Sequence, residues 1–232
     1  MMENEHPFRH ENKYLISRRD MDCCMPRLLE FASFDAHAPE GGYMVRSLYF
    51  DDPAGSAYEE KESGVMSRHK YRIRIYNMDE GFISLEKKIK EGQYIRKESA
   101  LLSRQEYDII MSGRTDHLLA RDESVAKEFA AECNIRLLEP RVIVDYERVP
   151  LVCSAGKVRI TFDMNIRSVF DDLDIFRTNA PAFSVMEQDL LIMEVKYTQF
   201  LPDIFHAILP DETCRTAASK YVMCEDVRRR FR

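Results

Sequence analysis

Basic side chains alternate with apolar ones in the short segment HKYRIRIY, residues 69–76. Neighbouring residues of a β-strand point to opposite faces, so this segment predicts a strand with one apolar face and one face that carries Lys70, Arg72 and Arg74. Clustered cations of this kind are what a local anion site needs. A strand with its polar face in water gives the same pattern, so the segment alone leaves both interpretations open.

Mixed charge recurs on other segments with strand-like alternation. Three of them carry a glutamate and a lysine two residues apart, and therefore on one face. These pairs are Glu11 with Lys13, Glu86 with Lys88, and Glu194 with Lys196. Either the charged faces meet water around an apolar core, or the strands close into a barrel with the charged faces inside and helices over the apolar outside. The mixed signs favour the barrel without deciding the matter.

Eight segments have the pattern of strands and five that of helices. The strand segments are 8–16, 44–50, 69–76, 83–90, 94–102, 141–149, 157–167 and 190–198. The helical segments are 17–31, 103–113, 122–134, 202–209 and 216–231. Ser17 is a candidate cap, Pro26 predicts a kink or a late start of the first helix, and Ser103 with Glu106 has capping-box spacing. Residues 168–189 predict a loop. No domain boundary or internal repeat is evident, which predicts one domain over residues 1–232.

The whole chain is acidic, with a formal net charge of −6 over 232 residues. This charge argues against a broad surface for nucleic acid or anionic membrane, so any anion site must be local. A hydrophobic content of 45% is enough for a packed core. No P-loop motif and no G-x-S-x-G or H-E-x-x-H motif is present, which argues against those nucleotide-binding and hydrolytic sites.

Targeting and redox signals predict a cytoplasmic protein. The N-terminus lacks the basic and apolar regions of a secretion signal, and no run approaches the ~18 apolar residues of a membrane span. The six cysteines form no C-x-x-C pair, so we expect reduced thiols rather than disulfides or zinc ligands. Any coupling to a membrane would need a partner.

In their order along the chain, these segments resemble VTC domains, the polyphosphate polymerase domains of the triphosphate tunnel (CYTH-like) superfamily. The segments that carry the resemblance are FRHENKYLI, SLYFDD, YRIRIY, ISLEKKIK, VDYERV, VRITFDMNIR, LIMEVKY and SKY, within residues 7–224. The resemblance implies an α+β fold, an eight-stranded antiparallel β-barrel tunnel with a charged lumen, covered by helices. It also implies a divalent metal, Mn²⁺ or Mg²⁺.

The matching positions imply roles for individual residues. The implied phosphate-binding residues are Lys13, Arg72, Arg74, Lys88, Arg96, Arg148, Arg159, Lys196 and Lys220. Of these, Arg74, Lys196 and Lys220 are also the implied catalytic residues. The implied metal ligand is Glu194, with Glu11 and Glu86 as helpers.

The resemblance implies metal-dependent phosphoryl transfer, above all synthesis of polyphosphate from ATP. Two alternatives stand beside it: hydrolysis of triphosphates in the same tunnel, and a non-catalytic module that binds or senses polyphosphate. The implied ligands are ATP, inorganic triphosphate or polyphosphate, and no nucleic acid is expected.

Overall fold

The computed structural model describes residues 8–38, 41–169 and 172–231. In these ranges the chain forms ten β-strands and six α-helices. The strands are β1 (Arg9–Ser17), β2 (Ser33–Phe34), β3 (Tyr43–Asp51), β4 (Ser67–Tyr76), β5 (Ile83–Glu91), β6 (Tyr94–Leu102), β7 (Glu139–Cys153), β8 (Val158–Val169), β9 (Ala182–Ser184) and β10 (Leu190–Tyr197). The helices are α1 (Arg18–Leu29), α2 (Ser56–Glu62), α3 (Arg104–Met111), α4 (Ser124–Ile135), α5 (Asp203–His206) and α6 (Lys220–Arg230).

Eight of the described strands pair edge to edge into a closed ring. Their order is β7, β3, β4, β5, β6, β1, β10 and β8, and β8 pairs back with β7. All of these pairings are antiparallel. The short strands β2 and β9 attach outside the ring, to β7 and β8. The predicted eight-stranded antiparallel fold is confirmed, and each predicted strand segment corresponds to one strand of the ring.

Strand β1 closes the ring by joining elements from distant parts of the sequence. It pairs with β10 over eight residue pairs, from His10 with Tyr197 to Ser17 with Leu190. With β6 it shares two pairs among the described residues, at Arg9 and His10. The ring is therefore held shut mainly by the β1–β10 ladder.

Helices cover the apolar outer face of the ring. Helices α3 and α4 pack on β3 to β6, where Phe129 and Tyr107 meet residues such as Ile73 and Leu85. Helices α1 and α5 pack on β1, β8 and β10, where Leu28 is among the wholly buried side chains. Burial of this outer face stabilises the ring, since each fully buried side chain of this kind contributes about 1.5–3 kcal/mol.

Helix α6 packs instead against side chains that point into the ring. Tyr221, Val222 and Cys224 form a cluster with residues such as Val144 and Ile192. This cluster fills part of one end of the ring. It also fixes Lys220, the first residue of α6, beside the lumen.

Local capping signals agree with the observed helix starts. Ser17 and Asp20 form a capping box at α1, and Ser103 and Glu106 form one at α3. Pro26 lies inside α1. The predicted helix 216–231 begins later, at Lys220, because the preceding residues run extended past β1, where the N–H of Thr216 donates to the carbonyl of Lys13.

Three short elements were not predicted from the sequence. Helix α2 buries none of its own residues, so it has no apolar stripe to reveal it. Strands β2 and β9 are two and three residues long, too short for a pattern of alternation. Strand β9 lies within the predicted loop 168–189, of which residues 170 and 171 lie outside the described ranges.

Across the parts of the chain that the structure describes, no helix combines the length and the apolar content needed to cross a membrane.

Candidate functional site

The strands of the ring turn their charged faces inward around a small central cavity of about 70 Å³. Among the described residues, eight cationic side chains line this cavity. They are Lys13, Lys70, Arg72, Arg74, Lys88, Arg148, Lys196 and Lys220. Seven of them belong to the set that the sequence predicted, and Lys70 is the addition.

Alternation along β4 explains why the cations meet there. Tyr71 and Ile73 point outward into the core beneath α4, so Lys70, Arg72 and Arg74 point inward. Lys70 shares the parity of the two arginines, and this parity was the signal that could have placed it in the predicted set.

Glu86 organises the arginine side of the cavity. Its Oε2 accepts hydrogen bonds from Nε and Nη2 of Arg72 at 2.7 and 2.5 Å, and it lies 3.7 Å from Nη1 of Arg74. Its Oε1 accepts from Nζ of Lys97 at 2.9 Å. Burial raises the pKa of Glu86, but the opposite effect of the cations Arg72, Arg74 and Lys97 is larger. The pKa of Glu86 therefore stays well below the ordinary value. With these partners, Glu86 fixes the arginines.

Arg74 is further held by two hydroxyl groups. Its Nε donates to Oγ of Ser47 at 3.0 Å, and its Nη2 donates to the hydroxyl of Tyr146 at 3.1 Å. Arg72 donates through Nη1 to the hydroxyl of Tyr49 at 2.9 Å. These hydroxyls are neutral, so they orient the two guanidinium groups without adding to the negative charge that Glu86 supplies.

Glu194 organises the opposite side. Its Oε2 accepts from Nζ of Lys196 at 2.6 Å, and its Oε1 accepts from Nζ of Lys220 at 2.8 Å. Lys13 and Arg148 lie 3.7 and 3.8 Å away. Burial raises the pKa of Glu194, but these four cations outweigh burial and hold it well below the ordinary value. The carboxylate is therefore ionised at neutral pH.

Asp163 is a carboxylate of this site that the sequence analysis did not select. It is fully buried and accepts from Nε and Nη2 of Arg148 at 2.6 and 2.7 Å. Nζ of Lys220 lies 2.6 Å from it. Its place on the same strand face as Arg159 was a usable signal. Asp163 of β8 therefore holds two cations from different elements side by side: Arg148 of β7 and Lys220 of α6.

Glu11 connects the lysines. Its carboxylate accepts from Nζ of Lys88 at 3.0 Å, and it lies 3.3 Å from Nζ of Lys196 and 3.7 Å from Nζ of Lys13. Burial raises the pKa of Glu11, but Lys88, Lys13 and Lys196 bring it well below the ordinary value. Glu11 is thus an ionised bridge between β1, β5 and β10.

The carboxylates suit a metal ion that is shared with a bound phosphate chain. No group of three or more His, Cys, Asp or Glu residues in the described ranges is arranged to hold a metal alone. Mg²⁺ is usually held by one or two carboxylates together with substrate phosphates and water. Glu194 offers the hard oxygen donors, and Glu11 and Asp163 are joined to it through Lys196 and Lys220. The donor set therefore fits such an ion if phosphate oxygens replace the carboxylates as partners of Lys196 and Lys220.

Lys70 has neutral partners among the described residues. Its Nζ donates to Oγ of Ser219 at 3.1 Å and lies 5.4 Å from the centre of the Tyr221 ring, but no ion pair joins it to a carboxylate of the described chain. Burial lowers its pKa well below the ordinary value, and Lys88 and Lys13 lower it further. Buried charge is costly when unpaired, so this lysine favours an incoming anion.

The pKa of Lys88, like that of Lys70, is lowered by burial. Burial lowers its pKa, Glu11 opposes the shift, Lys13 reinforces it, and the result is a pKa of about 7. Near neutral pH this lysine is therefore only partly protonated in the free protein.

Two predicted phosphate ligands lie outside the central cavity. Arg96 faces outward, because Lys97 takes the inward position beside it on β6; Arg96 pairs with Glu98 at 2.8 Å and covers the ring of Phe8. The structure therefore does not bring Arg96 to the other cations. Arg159 has the inward parity but lies at one end of the ring, where it donates to Asp35 and, at 3.3 Å, to the hydroxyl of Tyr43.

The two ends of the ring have different chemistry. At one end lies the basic mouth, a cavity of about 310 Å³ that shares Lys13, Lys70, Lys88 and Ser219 with the centre. Its further cations are Lys61, Arg68 and Lys90. At the other end lies the aromatic mouth, a cavity of about 440 Å³. Its principal residues are Asp35, Tyr43, Tyr76, Asn77, Phe82 and Arg159.

Comparisons with known proteins agree with this architecture. A family model described as the VTC domain matches residues 8–227. No curated protein matches the chain. A structure described as a "putative adenylate cyclase" from Bacillus halodurans is similar at 14% sequence identity and a TM-score of 0.52, covering 89% of this chain and 94% of that one.

Two further solved structures have the same TM-score of 0.52. One is a "putative adenylate cyclase" from Vibrio parahaemolyticus, at 12% identity, covering 94% of this chain and 98% of that one. The other is a "putative adenylyl cyclase" from Hippeastrum, described as having a dominant triphosphatase activity, at 12% identity, covering 95% of this chain and 96% of that one. At these identities the similarity concerns the fold.

Proposed function

Because the chain belongs to the VTC domain family, we propose that it transfers phosphoryl groups within its tunnel and that its main reaction is synthesis of polyphosphate from ATP. The observation that carries this proposal is the surplus of positive charge in the central cavity. Eight cations line it, and the described carboxylates that pair with them are four. These carboxylates are Glu11, Glu86, Asp163 and Glu194.

A phosphate chain matches this surplus. Phosphoryl oxygens are strong acceptors for the charge-assisted hydrogen bonds that arginine and lysine donate. The cations come from β1, β4, β5, β7, β10 and α6, so they surround the cavity from several sides. A cavity enclosed in this way can contact an elongated polyanion on several sides, whereas a flat site could contact it on one side only.

The proposed reaction needs little covalent help from the protein. The terminal oxygen of the acceptor chain attacks the γ-phosphorus of ATP, a new P–O bond forms, the bond to the bridging oxygen breaks, and its electron pair leaves with ADP. Alignment and charge neutralisation dominate catalysis of such transfers. In this proposal Arg72 and Arg74, which line the cavity, hold one side of the chain, and Lys196 and Lys220 hold the other side.

A divalent cation completes the proposed site. We assign Glu194 as its main protein ligand, with Glu11 or Asp163 as the nearest further carboxylates, and Mn²⁺ or Mg²⁺ as the ion because both prefer oxygen donors. When bound, the ion would neutralise charge on the transferring phosphates. Glu86 is less suited as a helper, since it pairs with Arg72 and Arg74 on the side of the cavity opposite to Glu194.

A paired assay tests the proposed reaction. The protein is incubated with ATP and Mn²⁺ or Mg²⁺, chains are resolved on a gel, and released phosphate is measured with malachite green. We expect chains that lengthen with time. Phosphate release without chains would replace the polymerase by a triphosphate hydrolase. Absence of both products, with retained binding of triphosphate, would leave a polyphosphate-binding module.

The cellular setting also belongs to the proposal. We place the reaction in the cytoplasm, where ATP is available and where the six cysteines, all free in the structure, would stay reduced. Any delivery of the product across a membrane would require a partner chain.

Arg74→Ala should weaken the binding of inorganic triphosphate by about 1.5–3 kcal/mol, the contribution of a hydrogen bond to a charged group. Calorimetry without metal measures this change. Arg104→Ala is the matched control, because Arg104 forms its ion pairs on the outer surface. Equal affinities of Arg74→Ala and the wild type would remove Arg74 from the phosphate site.

Binding of triphosphate should take up protons near pH 8. In the free protein Lys88 has a pKa of about 7, so it is largely neutral there, and burial also lowers the pKa of Lys70. A bound anion favours their charged forms, and affinity should therefore fall as the pH rises from 7 to 9. Calorimetry in Tris and in HEPES gives the number of protons from the buffer dependence of the enthalpy.

The variant Lys88→Met should reduce this proton uptake, whereas Lys127→Met, which changes an exposed lysine of α4, should not. Proton release on binding, or an enthalpy that is the same in both buffers, would contradict the proposed role of the two lysines.

A further inference from the structure

Thr161 carries a buried hydroxyl group on the inner face of β8. Its neighbours Ile160 and Phe162 point outward into the core beneath α1 and α5, so Thr161 points toward the lumen. The residue is 1% exposed. Its Oγ1 is buried and has no hydrogen-bond partner among the residues that the structure describes.

An unpartnered hydroxyl at this depth is unusual, because buried polar groups almost always form hydrogen bonds. Burial removes the hydrogen bonds that water would supply, and Thr161 does not regain them in the free protein. The lost free energy is recovered in any state of the protein in which the hydroxyl meets an acceptor. The hydroxyl therefore favours such a state.

The sheet places an ionised carboxylate beside this hydroxyl. Thr161 and Glu194 are direct partners in the β8–β10 ladder. Side chains of directly opposed residues share one face of a sheet, with Cβ atoms about 4.5–5.5 Å apart. A change of rotamer can therefore bring the hydroxyl to a carboxylate oxygen. On its other side Thr161 is paired with Pro150 of β7, which offers neither an N–H nor a polar side chain.

Lysines occupy Glu194 in the free protein. Oε2 accepts from Nζ of Lys196, and Oε1 accepts from Nζ of Lys220. Glu194 lines the central cavity, whereas Thr161 is not among the residues that line it. The hydroxyl of Thr161 would therefore act on a ligand in the cavity through Glu194 rather than by direct contact.

We infer that Thr161 is a positioning residue for Glu194: in the metal-loaded site its hydroxyl donates to one carboxylate oxygen while the other oxygen faces the divalent ion. This inference rests on the proposed function, since it concerns the ion of the same site. Lys196 and Lys220 leave Glu194 when phosphate oxygens become their partners. The hydroxyl then replaces one lost hydrogen bond, so the carboxylate keeps a fixed orientation toward the ion.

The variant Thr161→Val tests this role, because it keeps the branched shape and removes the hydroxyl. The ligand is inorganic triphosphate with methylene groups in place of its bridging oxygens, so that no turnover occurs. Mn²⁺ is titrated into the protein–ligand complex, with protein in excess, and free Mn²⁺ is measured by electron paramagnetic resonance. We expect the Kd for Mn²⁺ to rise about tenfold or more, as is usual when a hydrogen bond to a metal ligand is lost.

Metal-free affinity gives the second readout. Calorimetry with EDTA should show that Thr161→Val binds the methylene-bridged triphosphate as tightly as the wild type does. Without the ion, Lys196 and Lys220 remain the partners of Glu194, so the hydroxyl is not needed. Thr161→Ser, which retains a hydroxyl, should restore the wild-type affinity for Mn²⁺.

Stability separates this role from a structural one. Thr161→Val should unfold in urea at a concentration equal to or above that of the wild type, because the substitution removes a hydroxyl that is buried without a partner. A hydroxyl with a structural role would give the opposite change. Weaker binding of Mn²⁺ together with undiminished stability is therefore the expected result.

Thr198→Val is the matched control. The Oγ1 of Thr198 is also buried without a partner among the described residues, but Thr198 follows β10 and does not line the central cavity. This variant should bind Mn²⁺ as the wild type does.

Four results would overturn the inference: an unchanged Kd for Mn²⁺ in Thr161→Val, an equal loss of metal-free affinity, a loss of stability, or failure of Thr161→Ser to restore binding. The wild type tests the proposed function separately. If it fails to bind the triphosphate, or binds it without Mn²⁺, the proposed metal-dependent reaction fails and the role of Thr161 fails with it.

Discussion

The substitution Glu194→Gln is expected to lower metal-dependent turnover of ATP by on the order of 10²-fold or more, comparable to the loss of one preorganised electrostatic group. The side chain keeps its size but loses the charge that would hold the divalent ion. Triphosphate should bind at least as well as to the wild type, because one negative charge leaves a cavity that Lys13, Lys196, Lys220 and Arg148 surround. Turnover and metal-free calorimetry on the same preparation measure both effects.

Glu147→Gln is the matched control for this prediction. Glu147 lies on β7 next to Arg148 but on the exposed outer side, so its turnover should equal that of the wild type. Unchanged turnover of Glu194→Gln would remove Glu194 from the metal site. A parallel loss of triphosphate affinity would indicate a role in shaping the cavity instead.

The substitution Asp163→Ala should lower the free energy of unfolding by about 3–5 kcal/mol, the usual cost of removing one partner from a buried ion pair. Asp163 is fully buried and pairs with both Arg148 and Lys220. Its loss would leave these two cations short of counter-charge. Urea unfolding measures the change, and an unaltered slope with denaturant shows that stability rather than compactness has changed.

Added triphosphate should stabilise Asp163→Ala more than it stabilises the wild type, because the anion supplies part of the missing charge. Asp163→Asn, which keeps the shape, separates the electrostatic effect from that of the cavity left by alanine. Asp22→Ala, on the exposed side of α1, should change stability by no more than about 0.5 kcal/mol. A loss of stability by Asp163→Ala equal to that of Asp22→Ala would contradict the assigned role.

Strand parity predicted much of the site, because successive side chains along a β-strand point to opposite faces of the sheet. Arg72 and Arg74 could be placed together on this basis, and so could Lys88 with Glu86. The same rule explains the displacement of Arg96. Lys97 is adjacent, so only one of the two can point inward, and motif matching selected the other.

Parity has no value where a strand is irregular. The β7–β8 ladder changes register between Asp145 and Glu147, and Asn165 has a positive φ of 50° in the same region. Two residues of β7 stand opposite three of β8 there, so the irregularity lies on β8 and changes the parity of that strand. The direction of Arg148 was open for another reason, because both faces of the segment 141–149 carry charge. The structure places Arg148 in the cavity with Tyr146, which has the same parity on β7, and pairs it with Asp163.

The pattern of the sequence also could not predict how deep in the tunnel each inward-facing residue lies. Arg159 has the inward parity of Thr161 and Asp163, yet it stands at the aromatic mouth with Asp35. Which level of the ring a residue occupies depends on the stagger between strands, and stagger is set by pairings between distant segments. Asp35 itself lies in an irregular stretch with no alternation to read.

The β1–β10 ladder determines at which stage of synthesis and folding the site can form. Residues near the start of the sequence pair with residues up to Tyr197, and Lys220 comes later still. Synthesis proceeds from the N-terminus, so β1 remains without its main partner until residues 190–197 have left the ribosome. Contacts of such long range form slowly. We therefore expect the nascent chain to lack affinity for phosphate chains until residues as far as Lys220 have emerged, and the enclosing cavity to form only after β10 has paired with β1.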